Sequence, residues 1–322
     1  MRKMIRSAGI WLIIAAVLPL QTNASRLLVP VGRVIGLQLR SDMLTVAAYD
    51  DIFGETARSA GLKIGDQILA VDGKPVSCAE DVRSVLEDAR SAVEITVRRG
   101  SKCSSLSLTP RRTENGPRMG VYLRQGISGI GTVTFYDPET GIFGTLGHGV
   151  SDSAGGLLKM TDGNAYRAGV ISVKKGKSGE PGQLKGAAES PDVFGSLLRN
   201  TPQGVFGTTR IGWEDRQIPT AAYDEIRTGS AAIRCQVSDQ RVREYSVEIL
   251  KIYPATRTDG RNFLLRITDP ELLQCTGGIV QGMSGSPIIQ NGKLVGAVTH
   301  VLVNYPTRGY GIFIENMLDA AG

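Results

Sequence analysis

The sequence predicts a mainly β protein with two domains, an α+β module followed by an all-β domain of barrel or sandwich type. A chain of 322 residues is long enough for about two domains. Its 40 glycines and its low aromatic content of 6% favour many short strands and tight turns over long helices. Beyond residue 117 no helical periodicity of ordinary length occurs before the C-terminus, so the second domain is expected to consist of strands.

The first 24 residues have the pattern of an export segment. Arg2, Lys3 and Arg6 precede an uncharged apolar run over residues 8–20, and Ala24 offers a small residue at a cleavage point. The run is shorter than the ~20 residues of a membrane-spanning helix, which favours cleavage over permanent anchoring. An export signal and a membrane anchor both stay open for residues 1–24, and either predicts that the rest of the chain lies outside the cytoplasm.

Charge and cysteine content narrow the classes of partner. The formal charge is +6, and removing the three cations of the export segment leaves +3, which is too small and too scattered to predict nucleic-acid binding. Four cysteines allow three disulfide pairings, and Cys78 with Cys103 is the first pair to test because both lie in the first domain. The only two histidines are not close in sequence to a cysteine, so no metal site and no cofactor is predicted.

The first domain is predicted to span residues 25–112. The stretch "SAGLKIGDQILAVDGKPV", residues 59–76, predicts a helix end, a turn, an apolar strand and a second turn. A helix follows, with Ser77 as its cap and Glu80 three residues further on. Residues 93–98 then alternate between apolar and polar, as a half-buried strand does. This order of elements resembles a PDZ domain of the bacterial, protease-associated type.

The PDZ resemblance implies a peptide-binding loop. In such domains an extended peptide adds to the sheet as a strand, and backbone amides of a preceding loop hold its terminal carboxylate. The stretch "VIGLQL", residues 34–39, matches the position of that loop, so Ile35, Gly36 and Leu37 would supply the amides. The alternative is that Gly36 only permits a turn before a strand.

A polar, turn-rich stretch, "TENGP" at residues 113–117, is predicted to link the domains, and the second domain is predicted to span residues 118–322. Strand-like runs at residues 132–136 and 142–146 are joined by an Asp-Pro turn. The second run ends at Gly147-His148-Gly149, a glycine-flanked turn of the kind that often displays active-site side chains.

A candidate nucleophile lies in "GGIVQGMSGSPIIQNGKLVGAVTH", residues 277–300. A serine hydroxyl needs a base to take its proton, and the oxyanion that develops needs preorganised donors, usually backbone amides. Gly282 and Gly285 permit a tight turn that leaves the Ser284 hydroxyl exposed, with the amides of Gly282 and Ser284 as oxyanion donors. The alternative is a serine in an ordinary glycine-rich turn, followed by a hairpin at Asn291-Gly292.

His148 is the predicted base. His300 follows an apolar strand and is expected to be a packed or exposed strand-end residue, and Ser286 is expected to serve the turn or a pocket. Cys275 has no histidine or basic neighbour in sequence and is not predicted to be a nucleophile.

Over its whole length the chain resembles the stage IV sporulation protein B family, signalling serine endopeptidases of endospore-forming bacteria. The resemblance is carried by "TFYDPETGIFGTLGHGVSD", "GVFGT" and "ITDPELLQCTGGIVQGMSGSPIIQNGKLVGAVTHV". It implies a PDZ domain followed by a chymotrypsin-like double β-barrel, and a catalytic set of His148, Asp269 and Ser284. Asp269 precedes Ser284 closely, whereas chymotrypsin-like enzymes place the acid earlier, so Asp192 competes for this role.

The resemblance also implies a function. It predicts an exported serine endopeptidase that cleaves an extracytoplasmic, membrane-associated regulatory protein during spore formation and thereby activates a downstream processing protease. The enzyme would act in the space between forespore and mother cell, cleave its own N-terminal segment, and use the PDZ domain to select or gate substrates. The alternative hypothesis is a catalytically inactive PDZ adaptor that keeps a protease-like domain as a scaffold.

Overall fold

The computed structural model describes residues 25–152, 155–238, 241–257 and 259–322. The predicted export segment, residues 1–24, lies outside the described residues. Among the described residues, none of the helices is long and apolar enough to cross a membrane. The chain forms two six-stranded barrels, with a smaller α+β domain joined to the first of them.

Two long strands, β2 and β9, extend through both the small domain and the first barrel. The elements up to β9 are β1 (Leu27–Pro30), β2 (Val34–Tyr49), α1 (Gly54–Ser59), β3 (Gln67–Val71), β4 (Lys74–Pro75), α2 (Ala79–Asp88), β5 (Val93–Arg99), β6 (Lys102–Leu108), β7 (Arg111–Thr113), β8 (Gly116–Arg118) and β9 (Val121–Tyr136). β2 and β9 pair in an antiparallel register that shifts between Leu39 and Leu44. Gly126 lies at this shift with φ of 85°, and a Cβ there would lie 1.9 Å from the Leu39 carbonyl oxygen. Only glycine fits where the two strands pass from one domain to the other.

The small domain has the predicted PDZ architecture. Its sheet runs from the first half of β9 through the second half of β2 to β3, β5 and β6. The amphipathic helix α2 buries Val82, Val85 and Leu86 in the core of this domain. Its cap differs by one residue from the prediction, because the Asp81 carboxylate accepts from the backbone N–H of Cys78 at 3.1 Å. Cys78 with Asp81, rather than Ser77 with Glu80, therefore begins the helix.

The first barrel uses strands from both sides of the PDZ domain. Its further strands are β10 (Ile142–Thr145), β11 (Asp162–Lys174), β12 (Gln183–Thr201) and β13 (Gly204–Thr209), and the short β14 (Ile218–Pro219) pairs with β1. The ring order is β9-β10-β13-β12-β11-β2, closed by the pairing of β2 with β9. Residues 27–40 therefore lie in the first barrel, whereas the sequence predicted a PDZ domain over residues 25–112.

The predicted carboxylate-binding loop is a barrel strand, and this prediction was wrong. Ile35, Gly36 and Leu37 lie in β2, where each residue is paired with β11 on one side and β9 on the other. In a strand with two neighbours the backbone amides take part in the sheet, so these amides are not available for a peptide carboxylate.

The second barrel is closed and built from consecutive C-terminal strands. A 3₁₀ turn at Tyr223–Glu225 precedes β15 (Gly229–Cys235), β16 (Arg243–Ile252), β17 (Phe263–Ile267), α3 (Pro270–Thr276), β18 (Pro287–Gln290), β19 (Lys293–Leu302), β20 (Tyr305–Phe313) and α4 (Ile314–Ala321). The strand order around the barrel is β15-β16-β17-β20-β19-β18. The predicted PDZ domain and double β-barrel are confirmed, with the PDZ domain lying between two strands of the first barrel.

An apolar cluster joins the two barrels. It contains Leu28 of β1, Phe135 of β9 and Phe206 of β13, packed with Ile312 of β20 and Met317 of α4. All five are at most 1% exposed. Burial of each large apolar side chain stabilises the fold by about 1.5–3 kcal/mol, so this cluster holds the barrels in one relative position.

The predicted linker and the first disulfide candidate also differ from the structure. Residues 113–117 form the tip of the β7–β8 hairpin, which packs on α2 through a hydrogen bond from Arg112 to the Ala89 carbonyl oxygen. All four cysteines in the described residues are free thiols, so Cys78 and Cys103 are not bonded to each other.

Candidate active site at the junction of the barrels

The Ser284 turn lies between α3 and β18 and is held by the first barrel. Gly282 and Gly285 have φ of 98° and 95°, a conformation that favours glycine. Hydrogen bonds run from Thr132 N to the Ser284 carbonyl (3.1 Å), from Thr132 Oγ1 to the Gly282 carbonyl (2.8 Å) and from Thr134 Oγ1 to the Gly285 carbonyl (2.7 Å). Strand β9 therefore fixes three carbonyls of the turn.

The backbone amides of the turn fall into two groups. Met283 N donates to the Val280 carbonyl at 3.1 Å, and Gly285 N donates to the Val298 carbonyl at 2.7 Å. The amides of Gly282 and Ser284 have no acceptor among the described residues, and both residues are half-buried. Two unpaired N–H groups, two residues apart on a tight turn, are what an oxyanion requires. They are the two amides that the sequence predicts as oxyanion donors.

The Ser284 hydroxyl is bound to strand β19. Its Oγ donates to the Thr299 carbonyl oxygen at 2.8 Å. No hydrogen bond joins it to a histidine within the described part of the chain. A hydroxyl that donates to a carbonyl is not activated, so Ser284 has to exchange this partner for a base before it can attack. Ser286 is buried, and its hydroxyl donates to the Met283 carbonyl at 2.6 Å, as a turn role requires.

His148 is carried by a sharp reversal after β10. Leu146 and Gly147 both have left-handed φ, of 69° and 68°. A Cβ on Gly147 would lie 2.9 Å from Thr299 Cγ2, which places this turn directly against the strand that binds the Ser284 hydroxyl. His148 Nδ1 lies 2.9 Å from the Gly149 carbonyl oxygen. A proton on Nδ1 satisfies that carbonyl and leaves Nε2 with the lone pair that a general base needs.

Burial sets the protonation of His148. The ring is half-buried by surface area, and desolvation lowers its pKa below the ordinary value, while the hydrogen bond to Gly149 opposes that effect. A lowered pKa keeps the imidazole neutral near pH 7, the state in which it accepts a proton.

The structure adds His300, which the sequence analysis assigned to a strand end. Its ring centroid lies 5.1 Å from that of His148, with the two rings tilted by 37°. Burial, followed by the neighbouring His148 and Arg261, lowers the pKa of His300 to about 4, against an opposite effect of Asp259. His300 directly follows Thr299 on β19, the second strand of the hairpin after Ser284, and this position was the sequence signal.

Neither predicted acid contacts a histidine. Asp269 is the N-cap of α3, and its two carboxylate oxygens accept from Leu272 N at 3.0 Å and from Ser246 N at 3.3 Å. Asp192 is exposed, and its carboxylate accepts from Ser190 Oγ at 2.6 Å. The structure thus brings Ser284 and His148 to one junction, while Asp269 and Asp192 keep their hydrogen bonds elsewhere.

The first half of β9 offers an unpaired sheet edge in the PDZ domain. Residues 121–125 pair with β2 alone among the described strands. They follow Gly120, which has φ of 80° and whose Cβ would lie 2.2 Å from the Phe53 carbonyl oxygen. An open strand edge after a glycine turn suits an added peptide strand, and Tyr122 on it is 51% exposed. The sequence signal was "MGVYL", residues 119–123, to which no function had been assigned.

Comparison with known proteins gives partial matches to three relatives. The chain is 35% identical over 101 residues to a protein of Rhizobium meliloti (strain 1021) named as a candidate zinc metalloprotease, and 34% identical over 106 residues to a similarly named protein of Agrobacterium fabrum. The alignments cover 31% and 33% of this chain, and only 26% and 27% of those relatives. Serine protease HTRA1 of Xenopus tropicalis is 34% identical over 58 residues, 18% of this chain and 13% of that protein.

The names of the first two relatives refer to zinc. The described residues contain no group of three or more His, Cys, Asp or Glu side chains that could hold a metal ion. The models of two families match the chain, a PDZ domain at residues 56–99 and the SpoIVB peptidase S55 family at residues 115–318. The second match covers more than half of the sequence and includes both His148 and Ser284. The chain therefore belongs to the SpoIVB peptidase S55 family, with a PDZ domain ahead of its peptidase domain.

Proposed function

We propose that this chain is a serine endopeptidase in which Ser284 is the nucleophile and His148 is the general base. The amides of Gly282 and Ser284 are the proposed oxyanion donors. One observation carries the proposal: a glycine-rich turn with two unpaired amides presents Ser284 to the same stretch of β19 that packs against the His148 turn. Membership of the S55 family supports the same activity.

The proposed reaction begins with a change of partner at Ser284. Its hydroxyl leaves the Thr299 carbonyl and donates to His148 Nε2, since Nδ1 is held by Gly149. Oγ attacks the scissile carbonyl as its proton passes to Nε2, and the oxyanion is bound by the two free amides. Loss of one such donor lowers the rate by about 10²–10³ in a related case. His148 then gives the proton to the leaving amine, and water releases the acyl group in the same way.

The third member of the catalytic set stays a prediction. Asp269 is assigned by the family resemblance and Asp192 by its place after His148. Both are hydrogen-bonded away from His148 in this structure. The carbonyl of Gly149 already fixes the tautomer of the base, which is one task of a triad acid.

We further propose that the enzyme is exported, acts on a membrane-associated regulatory protein during spore formation and activates a downstream processing protease. The cationic and apolar pattern of residues 1–24 and the family membership support this setting. The PDZ domain would select or gate substrates through its open edge. Strand β9 runs from that edge to Thr132, whose hydroxyl binds the Ser284 turn. A peptide bound at the edge would therefore pair with the same strand that holds the turn.

Self-cleavage of the N-terminal segment is a further part of the proposal. A cut within residues 25–32 would require that stretch to be exposed. Leu28, Val29 and Val31 are instead at most 1% exposed, and β1 is paired with β9 and β14. A cut compatible with the folded barrel must therefore fall before Leu28.

Labelling with a small fluorophosphonate tests the activity. Wild-type protein should be labelled stoichiometrically, and Ser284→Ala should not be labelled. Ser286→Ala is the matched control, because it removes a hydroxyl two residues away that already serves the turn. Equal labelling of wild type and Ser284→Ala would refute the enzyme. Absence of labelling in protein with a cooperative unfolding transition would favour the inactive PDZ adaptor.

A further inference from the structure

His300 lies beside the proposed base. Its ring packs against His148 at a centroid distance of 5.1 Å. The loop that contains Gly260 is close to both turns, since a Cβ there would lie 3.8 Å from His300 Cε1 and 3.4 Å from the Gly147 carbonyl oxygen. Thr299 Oγ1 donates to the Gly260 carbonyl at 2.7 Å and anchors that loop. One loop of the second barrel therefore backs both histidines.

The Nδ1 atom of His300 is buried and has no hydrogen-bond partner among the described residues, where it is the only buried side-chain nitrogen or oxygen in that condition. Leaving such a group unpaired is unfavourable, so its presence calls for an explanation. One explanation is that the partner of His300 Nδ1 forms only during the reaction. An interaction made in the transition state alone accelerates the chemical step.

Burial, and after it the neighbouring bases, lowers the pKa of His300 and keeps its ring neutral. His148 and Arg261 face it as bases, and Asp259 is the opposing acid. Asp259 is already held by Arg257 through two hydrogen bonds of 2.9 and 2.6 Å. On the neighbouring strand β20, Tyr310 pairs with His300, and its ring lies under Arg261. A neutral imidazole at this position can accept a hydrogen bond from a cation.

We propose that His300 is a positioning residue of the peptidase site, whose neutral ring packs against His148 and whose unpaired Nδ1 accepts a hydrogen bond from the His148 imidazolium. The imidazolium forms when the Ser284 proton moves to His148 Nε2, and that N–H serves the leaving group. The Nδ1–H, which donates to the Gly149 carbonyl at rest, then gains His300 Nδ1 as a second acceptor. The proton stays on His148 and later passes to the leaving group, so His300 is unchanged after each cycle. This inference rests on the proposed function.

The test is the rate of fluorophosphonate labelling as a function of pH in three variants. His300→Phe keeps a ring of similar size and removes the acceptor. His300→Asn places an amide oxygen near the position of Nδ1, and His300→Gln places one farther out. We expect the maximal labelling rate of the Phe and Gln variants to fall about 10- to 100-fold, the range for a hydrogen bond to a charged group. The Asn variant should recover most of it, and the probe concentration at half-maximal rate should change little in any variant.

The pH profile separates this role from packing. Labelling requires neutral His148, so the rate rises with pH through the pKa of that base. An acceptor that stabilises cationic His148 raises this pKa, so removing it in His300→Phe should move the acid limb to lower pH. His300→Asn should move it back.

A Phe variant with wild-type rate and acid limb would overturn the inference, as would Gln rescuing as well as Asn. The comparison of Asn with Gln decides the matter even if the Phe variant fails to fold. Wild-type protein that is not labelled at Ser284 would refute the proposed function and the inference together. Labelled wild type with unaffected variants would refute the inference alone.

Discussion

At Ser284 the side chain and the backbone carry different parts of the proposed chemistry. A substitution can remove the Ser284 hydroxyl. The backbone amides of Gly282 and Ser284 stay in place, because the path of the turn positions them. That path depends on three carbonyls fixed by Thr132 and Thr134. Residue type is enough to predict the proposed nucleophile, base and donor positions, because each follows from local chemistry. His300 was missed because its contact with His148 joins residues far apart in sequence, on two different barrels.

Asp269 is the residue at which the family resemblance and the geometry differ. Asn is as good an N-cap as Asp, but its amide nitrogen cannot accept from Ser246 N, so Asp269→Asn should keep α3 and lower the free energy of unfolding by about 1 kcal/mol. Because both carboxylate oxygens bind backbone amides, we expect this variant to be labelled at close to the wild-type rate. Labelling rates of Asp269→Asn and Asp192→Asn, with unfolding curves for both, provide the measurement. A loss of about 10⁴ in one variant would instead identify it as the orienting acid.

At the scale of elements, β9 connects recognition to chemistry. Its first residues form the open edge of the PDZ sheet, and its later residues hold the Ser284 turn. The sequence indicated the strand at residues 132–136, but it did not indicate that the strand begins at Val121. The reason is physical: glycines and polar residues at 124–131 interrupt the alternation, while pairing with β2 keeps the backbone extended. The carboxylate-binding loop was predicted at residues 34–39, which are part of β2, for the same reason, since a strand's partners are not encoded in its own pattern.

Replacing the Thr132 hydroxyl by a methyl group of similar size tests the contact between β9 and the Ser284 turn. Thr132→Val deletes the donor to the Gly282 carbonyl and keeps the shape of a fully buried side chain. We expect the labelling rate at Ser284 to fall about 10-fold or more, because small displacements of preorganised groups are costly in rate.

The matched control is Thr209→Val, which removes a buried hydroxyl bonded to the Phe194 carbonyl at 2.6 Å in the same barrel. Both variants should lose about 1–3 kcal/mol in free energy of unfolding, since each leaves a carbonyl without its hydroxyl donor, and Thr209→Val also removes the acceptor of Ile211 N. A similar fall in labelling rate for both would show that β9 has no special role in holding the turn.

At the scale of the whole molecule, the PDZ domain is inserted into the first barrel rather than placed before it. The chain enters the barrel through β1 and the first half of β2, leaves it at about residue 40, and returns at about residue 126. The sequence predicted the two domains and their order of motifs, since each motif is local. It placed the boundary wrongly because closure of the ring depends on pairing β2 with β9 and β11, which are distant along the chain.

This insertion leads to opposite expectations for two shortened proteins. In the first, an Asn-Gly turn replaces residues 41–125, so that Arg40 and Gly126 are joined by a favoured two-residue hairpin beside the Leu39–Ile127 pair. The six-stranded ring stays complete, and we expect cooperative unfolding and labelling at Ser284. In the second, the chain starts at residue 113, the predicted domain boundary, and lacks β1 and β2. That protein loses a strand of the ring and the buried Leu28, so it should neither unfold cooperatively nor be labelled. Circular dichroism during thermal unfolding and fluorophosphonate labelling measure both, and a folded, labelled chain from residue 113 would show that the first barrel closes without β2.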